Sequence, residues 1–225
     1  MPRLSVGRDK PNRPISVLPL VSKVFEKIIY HQLYDYFQEN RLLNTYQSGF
    51  RSMPSTTTAL LETTNNWSIN IDNGLLNGVL FIDLKKAFDT IDHEILRKLA
   101  NYGVDPNALR FFASYLCNRS QKCTVNGALS SASKLTFGVP QGSILGPLFF
   151  LIYINDLPNC LDKSCAKMFA DDTNITVLGC TFAELEQATN SELSNLYSWL
   201  KANKLSLNIA KTDFMVVSSR QKFLA

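Results

Sequence analysis

Cysteine and histidine are scarce in this chain, and those present are poorly spaced for structural work. The 225 residues include five cysteines, Cys117, Cys123, Cys160, Cys165 and Cys180, an odd set without a CxxC pair, and only His31 and His93 could assist them. This argues against a structural zinc site or a disulfide framework and fits a reduced, intracellular compartment. Long hydrophobic runs are missing as well. No apolar stretch approaches the roughly 20 residues of a membrane-spanning helix, and the N-terminus lacks a signal-peptide pattern. There is no internal repeat, no low-complexity tract and no strong charge imbalance. A net charge of +4 and a pI near 8.8 permit a polyanionic partner without demanding one. What remains is an ordinary globular composition, 45% hydrophobic and 19% charged, long enough for one large domain or two small ones.

The first dozen residues, MPRLSVGRDKPN, read as an extended polar lead. Over 20–37, Val21, Val24, Phe25, Ile28, Ile29, Leu33 and Phe37 recur at helical spacing, so their stripe is expected to be core. After a loop ending in QSGFR, 56–71 reads as a weaker helix with Ala59, Leu60, Thr63 and Trp67 on one face, broken by the turn dipeptides Asn73-Gly74 and Asn77-Gly78. The run VLFIDL at 79–84 reads as a strand buried on both faces. Its single carboxylate, Asp83, needs a compensating charge there, from the neighbouring Lys85 or Lys86 or from a metal. Asp92-His93-Glu94 opens a helix that buries Ile95, Leu96 and Leu99 and stops at Gly103. Asp105-Pro106 opens another, with Leu109, Phe112, Ala113 and Leu116 inward.

Strands are expected at 121–125 and 134–139, leading into GVPQGS and an apolar helix over 144–154. Such a turn is either an ordinary strand-to-helix connection or one whose free N–H groups meet an anion such as phosphate. Thr181 and Glu184 form a capping-box pair for a helix with Leu185, Leu193, Leu196, Tyr197 and Leu200 toward the core. The segment 204–213, bearing Lys211, reads as strand or loop, and 214–217 as a last short strand.

Between these elements lies KMFADDTNITVL at 167–178, two short apolar runs flanking adjacent carboxylates. The pattern predicts a β-hairpin with Asp171 and Asp172 at its tip. Adjacent aspartates repel, so a solvated turn competes with a cation site. Asp83 could join them if the two strands are antiparallel neighbours. Three carboxylates without histidine or thiolate make an oxygen-only site suited to Mg²⁺ or Mn²⁺, and paired ions of that kind serve either nucleotide addition or phosphodiester hydrolysis.

FIDLKKAFDTIDH, GVPQGSILGPLFFLIYINDL, FADDT and LSLNIAKT resemble, in order, the palm motifs of reverse transcriptases. RPISVLPLVSKVFEKII and QSGFRSMPSTTTAL resemble the fingers motifs, with wording most similar to non-LTR retrotransposons of the jockey and CR1-like groups. The resemblance covers essentially the whole chain. It implies an α+β right-hand polymerase fold whose antiparallel palm sheet packs on helices. The fingers would occupy about 1–74 and 91–137 and the palm about 75–90 and 138–225, with the thumb not included. It also implies RNA-templated DNA synthesis with two Mg²⁺ ions (Mn²⁺ as substitute) on an RNA template, a DNA primer and a dNTP. The setting would be a retrotransposon polyprotein, in a cytoplasmic ribonucleoprotein and the nucleus.

By the same resemblance Asp83 and Asp171 hold metal, and Asp172 supports them. Phe88 is the aromatic gate against a 2′-hydroxyl, flanked by Lys86 and Ala87. Gln141 and Gly142 line the nucleotide pocket, Lys211 protonates the leaving pyrophosphate, and Arg13, Lys23 and Arg51 contact template or triphosphate. Phe169 departs from the tyrosine that many relatives carry. An inactive remnant that at most binds nucleic acid and a two-metal nuclease are the alternative readings.

Overall fold

A computed structural model describes residues 16–50, 56–125, 127–140 and 142–223. The polar lead and the expectations for Arg13, Arg51 and Gln141 therefore lie outside the described residues. In chain order the elements are α1 (Leu20–Glu39), α2 (Thr56–Asp72), β1 (Leu76–Ile82), α3 (Ile95–Asn101), α4 (Pro106–Leu116), β2 (Arg119–Gln121), β3 (Thr124–Val125), β4 (Ala128–Leu129), β5 (Ser133–Leu135), α5 (Leu145–Ile154), β6 (Cys165–Phe169), β7 (Asp172–Gly179), α6 (Phe182–Ala202), β8 (Asp213–Val217) and α7 (Arg220–Phe223). Among them no helix is long and apolar enough to cross a membrane.

The frame is a four-stranded antiparallel sheet in the order β6-β7-β1-β8. Side chains alternate between its faces. One face buries Leu80 and Ile82 of β1 beside Ile175 and Val177 of β7. These join one core cluster with α5 and with Leu185, Leu196 and Leu200 of α6. Helix α5 is apolar nearly all round and buries Leu145, Leu148, Phe149, Phe150, Leu151, Ile152, Tyr153 and Ile154, as expected of a helix enclosed by its neighbours. Its aromatic rings meet Phe112 of α4 and Phe88 near β1, at centroid distances of 5.4 and 5.0 Å. The opposite face of the sheet is partly covered by α2, where Trp67 Nε1 donates to Thr176 Oγ1 at 3.0 Å.

Several expectations are corrected. The stripe on α1 is core only in its second half: Leu33 and Phe37 are buried, whereas Val21, Val24, Phe25 and Ile28 are exposed. The buried residue of the first half is Glu26, whose carboxylate accepts from the backbone N–H of Ile144 at 2.7 Å and of Leu145 at 3.4 Å. It therefore holds the N-terminus of α5, and the helix turns this charged side inward because those amides otherwise have no intrahelical acceptor. On α2 Leu60 is likewise exposed, and on α6 so is Tyr197. The buried face of α6 runs instead through Leu185, Thr189, Glu192, Leu196 and Leu200, with Glu192 accepting from the N–H groups of Asp162 and Lys163.

Asn77-Gly78 is not a turn but lies inside β1. Asn77 is fully buried because its amide is satisfied by tertiary partners: Asn70 Nδ2 donates to its Oδ1, and its Nδ2 donates to the carbonyls of Trp67 and Val217. Gly78 is where α6 and β8 close over the strand, since a Cβ there would sit 2.9 Å from Leu185 Cδ1 and 3.2 Å from Phe214 Cε2. The strands expected at 121–125 and 134–139 are also broken up. They form two short ribbons, β2 with β5 and β3 with β4, because this exposed excursion has little apolar surface to bury.

Among the expectations that hold, Asp105 caps α4 by accepting from Asn107 N–H at 2.7 Å, with Pro106 next in line. Thr181 accepts from Glu184 N–H at 3.2 Å, and Glu184 returns to the N–H of Cys180 at 2.9 Å.

Replacing Glu26 tests the α5 anchor. Glu26→Leu strands two buried donors and should destabilise the fold by about 2 to 3 kcal/mol, whereas Glu26→Gln, which keeps an acceptor, should cost about 1 kcal/mol. Denaturant midpoints measure both, and equal stability of Glu26→Leu and the parent would remove this role.

Candidate active site

Pairing of β1 with β7 runs up to Ile82 opposite Thr173. One further step along this register sets Asp83, just past β1, against Asp172, the first residue of β7. Strand alternation then places both on the face away from the α5 core, together with Phe81 and, across the β6 pairing, Phe169. Phe81 and Phe169 are partly open to solvent, at 36% and 37% exposure. The hairpin turn itself is Ala170-Asp171, one residue earlier than expected, with Phe169 paired to Asp172. Ala170 takes a positive φ of 56°, as the first central residue of a tight two-residue hairpin turn requires.

The LSLN segment is laid along residues 83–85. Asp83 C=O accepts from Asn208 N–H at 2.8 Å and Lys85 N–H donates to Ser206 C=O at 2.8 Å, with a bridge between Leu84 and Leu207. Asn208 Nδ2 also donates to the Asp83 carboxylate at 2.6 Å. The compensation expected for Asp83 thus comes from a fixed amide rather than a neighbouring lysine. Asn208 is followed by a 3₁₀ turn, Ile209–Lys211, that presents Lys211 on the surface near the carboxylates.

These groups feel one another. Burial, then the charges of Asp171 and Asp83, push the Asp172 carboxyl above its ordinary range, while Lys211 pulls it down. The fold therefore brings Asp83, Asp171, Asp172 and Lys211 within electrostatic reach. The three carboxylates offer only hard oxygens, without a histidine or thiol, a donor set that suits Mg²⁺ or Mn²⁺. Among the described residues no group of three or more His, Cys, Asp or Glu side chains is arranged to hold a metal ion by itself.

Phe88 lies in the 3₁₀ turn Ala87–Asp89, half-buried, with its ring on Phe150. Its C=O accepts from Val139 N–H at 3.0 Å, and Ile91 C=O accepts from Gly138 N–H at 2.8 Å. Gly138 has a φ of +81° and its Cβ position lies 2.7 Å from Asp89 O, so no other residue fits this approach. The GVP segment is in this way fastened to the turn carrying Phe88. Ala87 is buried, while Lys86, left-handed at φ 49°, and Gly142, at φ 99°, are exposed. Lys23 lies on α1 rather than on the sheet. The anion-binding reading of the turn into α5 is not supported: Glu26 takes the Ile144 and Leu145 amides, and Ser143 Oγ accepts from Gly146 N–H at 2.9 Å.

Two site residues escaped the sequence reading. Asn208 stands within the LSLNIAKT motif, but a role toward Asp83, 125 positions away, has no local signature. Gln47, in QSGFR, is 1% exposed and bonds to the Asp171 turn. A charged residue within an apolar stripe, Glu26, was the one signal that could have been noticed.

A family model described as reverse transcriptase (RNA-dependent DNA polymerase) matches residues 8–225. The chain is 31% identical over 214 residues to the probable RNA-directed DNA polymerase from transposon BS of Drosophila melanogaster, covering 89% of the chain and 23% of that protein. To the RNA-directed DNA polymerase from mobile element jockey of Drosophila funebris it is 27% identical over 206 residues, covering 88% and 22%. The chain thus spans about a quarter of the length of the curated relatives it matches. Its fold is similar to apo telomerase from Candida tropicalis, with a TM-score of 0.59 at 13% identity over 84% of this chain and 36% of that one. It is also similar to telomerase from Candida albicans in complex with a fragment of telomeric RNA, with a TM-score of 0.57 at 15% identity over 90% and 36%.

The raised Asp172 carboxyl has a stability consequence. A carboxyl that holds its proton more tightly in the folded state opposes folding when ionised, so the penalty is present at neutral pH and vanishes once acid protonates it. Asp172→Asn should therefore raise thermal stability at pH 7, by no more than about 1 kcal/mol for so exposed a group, with a smaller gain in high salt and none below the carboxylate range. Thermal melts across pH check this, and a gain that is absent or independent of pH would show that the carboxylates do not repel.

Proposed function

The chain belongs to the reverse transcriptase (RNA-dependent DNA polymerase) family, and on that premise we propose that it forms the catalytic part of a polymerase that copies RNA into DNA within a longer retrotransposon polyprotein. The observation that carries this reading is that Asp172 lies within electrostatic reach of Asp171, Asp83 and Lys211, at the end of the sheet where β1 pairs with β7. The sheet strands β1, β6, β7 and β8 belong to a palm at about 75–90 and 138–225, and the remaining segments, about 1–74 and 91–137, to fingers.

In this reading Asp83 and Asp171 hold two Mg²⁺ ions, which when bound favour ionisation of an attacking hydroxyl and offset charge on phosphate. The chain's own residues do the positioning. Asn208 keeps the Asp83 carboxylate aimed while leaving its negative charge available. Asp172 adds negative potential beside the first two. The primer 3′-hydroxyl gives up its proton to solvent water as its oxygen bonds to the α-phosphorus of a dNTP, the α–β linkage breaks, and Lys211 gives a proton to the departing pyrophosphate and regains one from solvent. Phe88, backed by Phe150 and fastened through its carbonyl to Val139, stands as a rigid wall against a 2′-hydroxyl, beside Lys86 and Ala87. By the family's motifs Gln141 and Gly142 are assigned to the nucleotide pocket, and Arg13, Lys23 and Arg51 to contacts with template or triphosphate. The duplex is gripped through its backbone, so binding is sequence-tolerant and weakens with salt.

Primer extension on an RNA template, using a protein that carries this chain, decides the matter. Asp83→Asn and Asp171→Asn should each lower synthesis by about a thousandfold or more, since the ions lose their anchors; undiminished extension by either would overturn the assignment, and cleavage of the template without dNTPs would point to hydrolysis. Phe88→Ala should admit ribonucleotides, reducing dNTP over rNTP preference by about tenfold or more, and an unchanged ratio of kcat/KM values would remove the gate.

A further inference from the structure

The turn that carries Asp171 is not held by its own hairpin alone. Residues 46–49 run alongside β6 in a short parallel bridge: Met168 N–H donates to Tyr46 C=O and Ser48 N–H to Met168 C=O, both at 2.8 Å. Between them Gln47, almost wholly buried, reaches the turn. Its Oε1 accepts from Gly49 N–H at 2.8 Å and Ala170 N–H at 3.1 Å, and its Nε2 donates to Ala170 C=O at 3.4 Å. Gly49 then passes so close that a Cβ would lie 2.1 Å from Ala170 N and 2.9 Å from Phe169 C. Ala170 is the residue forced into a positive φ immediately before Asp171. The strap is itself anchored upstream, where Asn155 Oδ1 accepts from Asn44 N–H at 2.7 Å and Asn155 Nδ2 donates to Leu42 C=O at 2.8 Å, tying it to the C-terminal end of α5.

We propose that Gln47 is a positioning residue that locks the Ala170-Asp171 turn, with Gly49 as the backbone seat that lets the strap lie against it. The link to catalysis rests on the reading of Asp171 as a metal-holding aspartate. A left-handed alanine is strained, and it persists only where its surroundings specify it. One carboxamide satisfying both the N–H and the C=O of that alanine specifies it directly. Loosening this hold would let the Asp171 carboxylate wander relative to Asp83, which is fixed separately by Asn208. Because such a fault misplaces a reacting-centre group without removing a nucleotide contact, it lowers kcat more than it alters KM.

The experiment pairs amide hydrogen exchange by NMR on the full chain with single-nucleotide incorporation by the protein that carries it. Gln47→Met keeps the volume and removes the hydrogen bonds, while Gln47→Glu keeps acceptor oxygens for both amides. Exchange at Ala170 and Gly49 should accelerate about tenfold or more in Gln47→Met, with Leu80 and Ile175 in the sheet core unchanged. Gln47→Glu should restore protection. In Gln47→Met kcat should fall about tenfold while KM for dNTP stays within about twofold, and Gln47→Glu should recover part of it. Wild-type exchange at Ala170 and Gly49 in Gln47→Met overturns the lock, and so does protection lost equally at Leu80 and Ile175, which would make Gln47 ordinary core. Faster turn exchange with unaltered kcat overturns the link to catalysis. A wild-type protein without polymerase activity defeats the functional reading instead, and the exchange comparison alone then judges the lock.

Discussion

The register of β1 against β7 is the constraint from which the site follows. A strand presents its side chains with a period of two, so a slip of one residue would carry Asp83 from the open face into the core beneath it. The pairing of Leu80 with Ile175 and Ile82 with Thr173 prevents that slip, because shifting it would expose a buried face and bury Phe81 and Asp83. Polar contacts reinforce the same register from the other side. Trp67 meets Thr176, and Asn77 is held among Asn70, Trp67 and Val217, so both β7 and β1 are indexed to α2 and β8 rather than only to each other.

The register concentrates three carboxylates at one end of a sheet, an arrangement that opposes folding in the absence of counter-charge. The fold tolerates it because its stabilisation comes from elsewhere. The apolar α5, enclosed by α1, α3, α4, α6 and the inner face of the sheet, accounts for much of the buried surface. At the acidic end Asn208 supplies a fixed amide and the exposed Lys211 a positive charge. An amide that donates to a carboxylate holds its direction while leaving its negative charge available, which a salt bridge would have spent. This division between an apolar platform and a repulsive rim suits the proposed binding of divalent cations.

Much of this could be seen in the sequence, and what could not has a common cause. The caps of α4 and α6, the enclosed helix α5, the hairpin around 167–178 and the convergence of Asp83 with Asp171-Asp172 all depend on residues close in sequence or on a single pairing. The errors arose where a distant partner reversed a local preference. Asn77-Gly78 has turn chemistry, yet three tertiary acceptors and donors make Asn77 a strand residue and the overlying Leu185 makes glycine the fitting neighbour. Periodicity on α1 correctly gave a helix but not which part of its stripe is covered, because Glu26 is drawn inward by the amides of a helix 118 positions later. The 121–135 region has β-forming residues but no face to bury, and so yields ribbons instead of sheet strands.

Glu26, Gln47, Asn77, Asn155 and Glu192 form a set with one physical logic: each is a buried polar side chain that bonds to at least one backbone group on another segment. Apolar packing between these segments would be satisfied by many small displacements, since hydrophobic contact has no direction. A buried carboxylate or amide allows far fewer, because leaving a main-chain donor unpaired costs as much as several apolar contacts contribute. Such side chains therefore act as joints that fix angle and register between elements. Four of them fall where the candidate site needs accuracy: Glu26 at the start of α5, Asn155 at its end beside the strap, Asn77 within β1, and Gln47 under the Asp171 turn. The apolar core brings these segments together, and the buried polar joints decide how the four charged groups face one another.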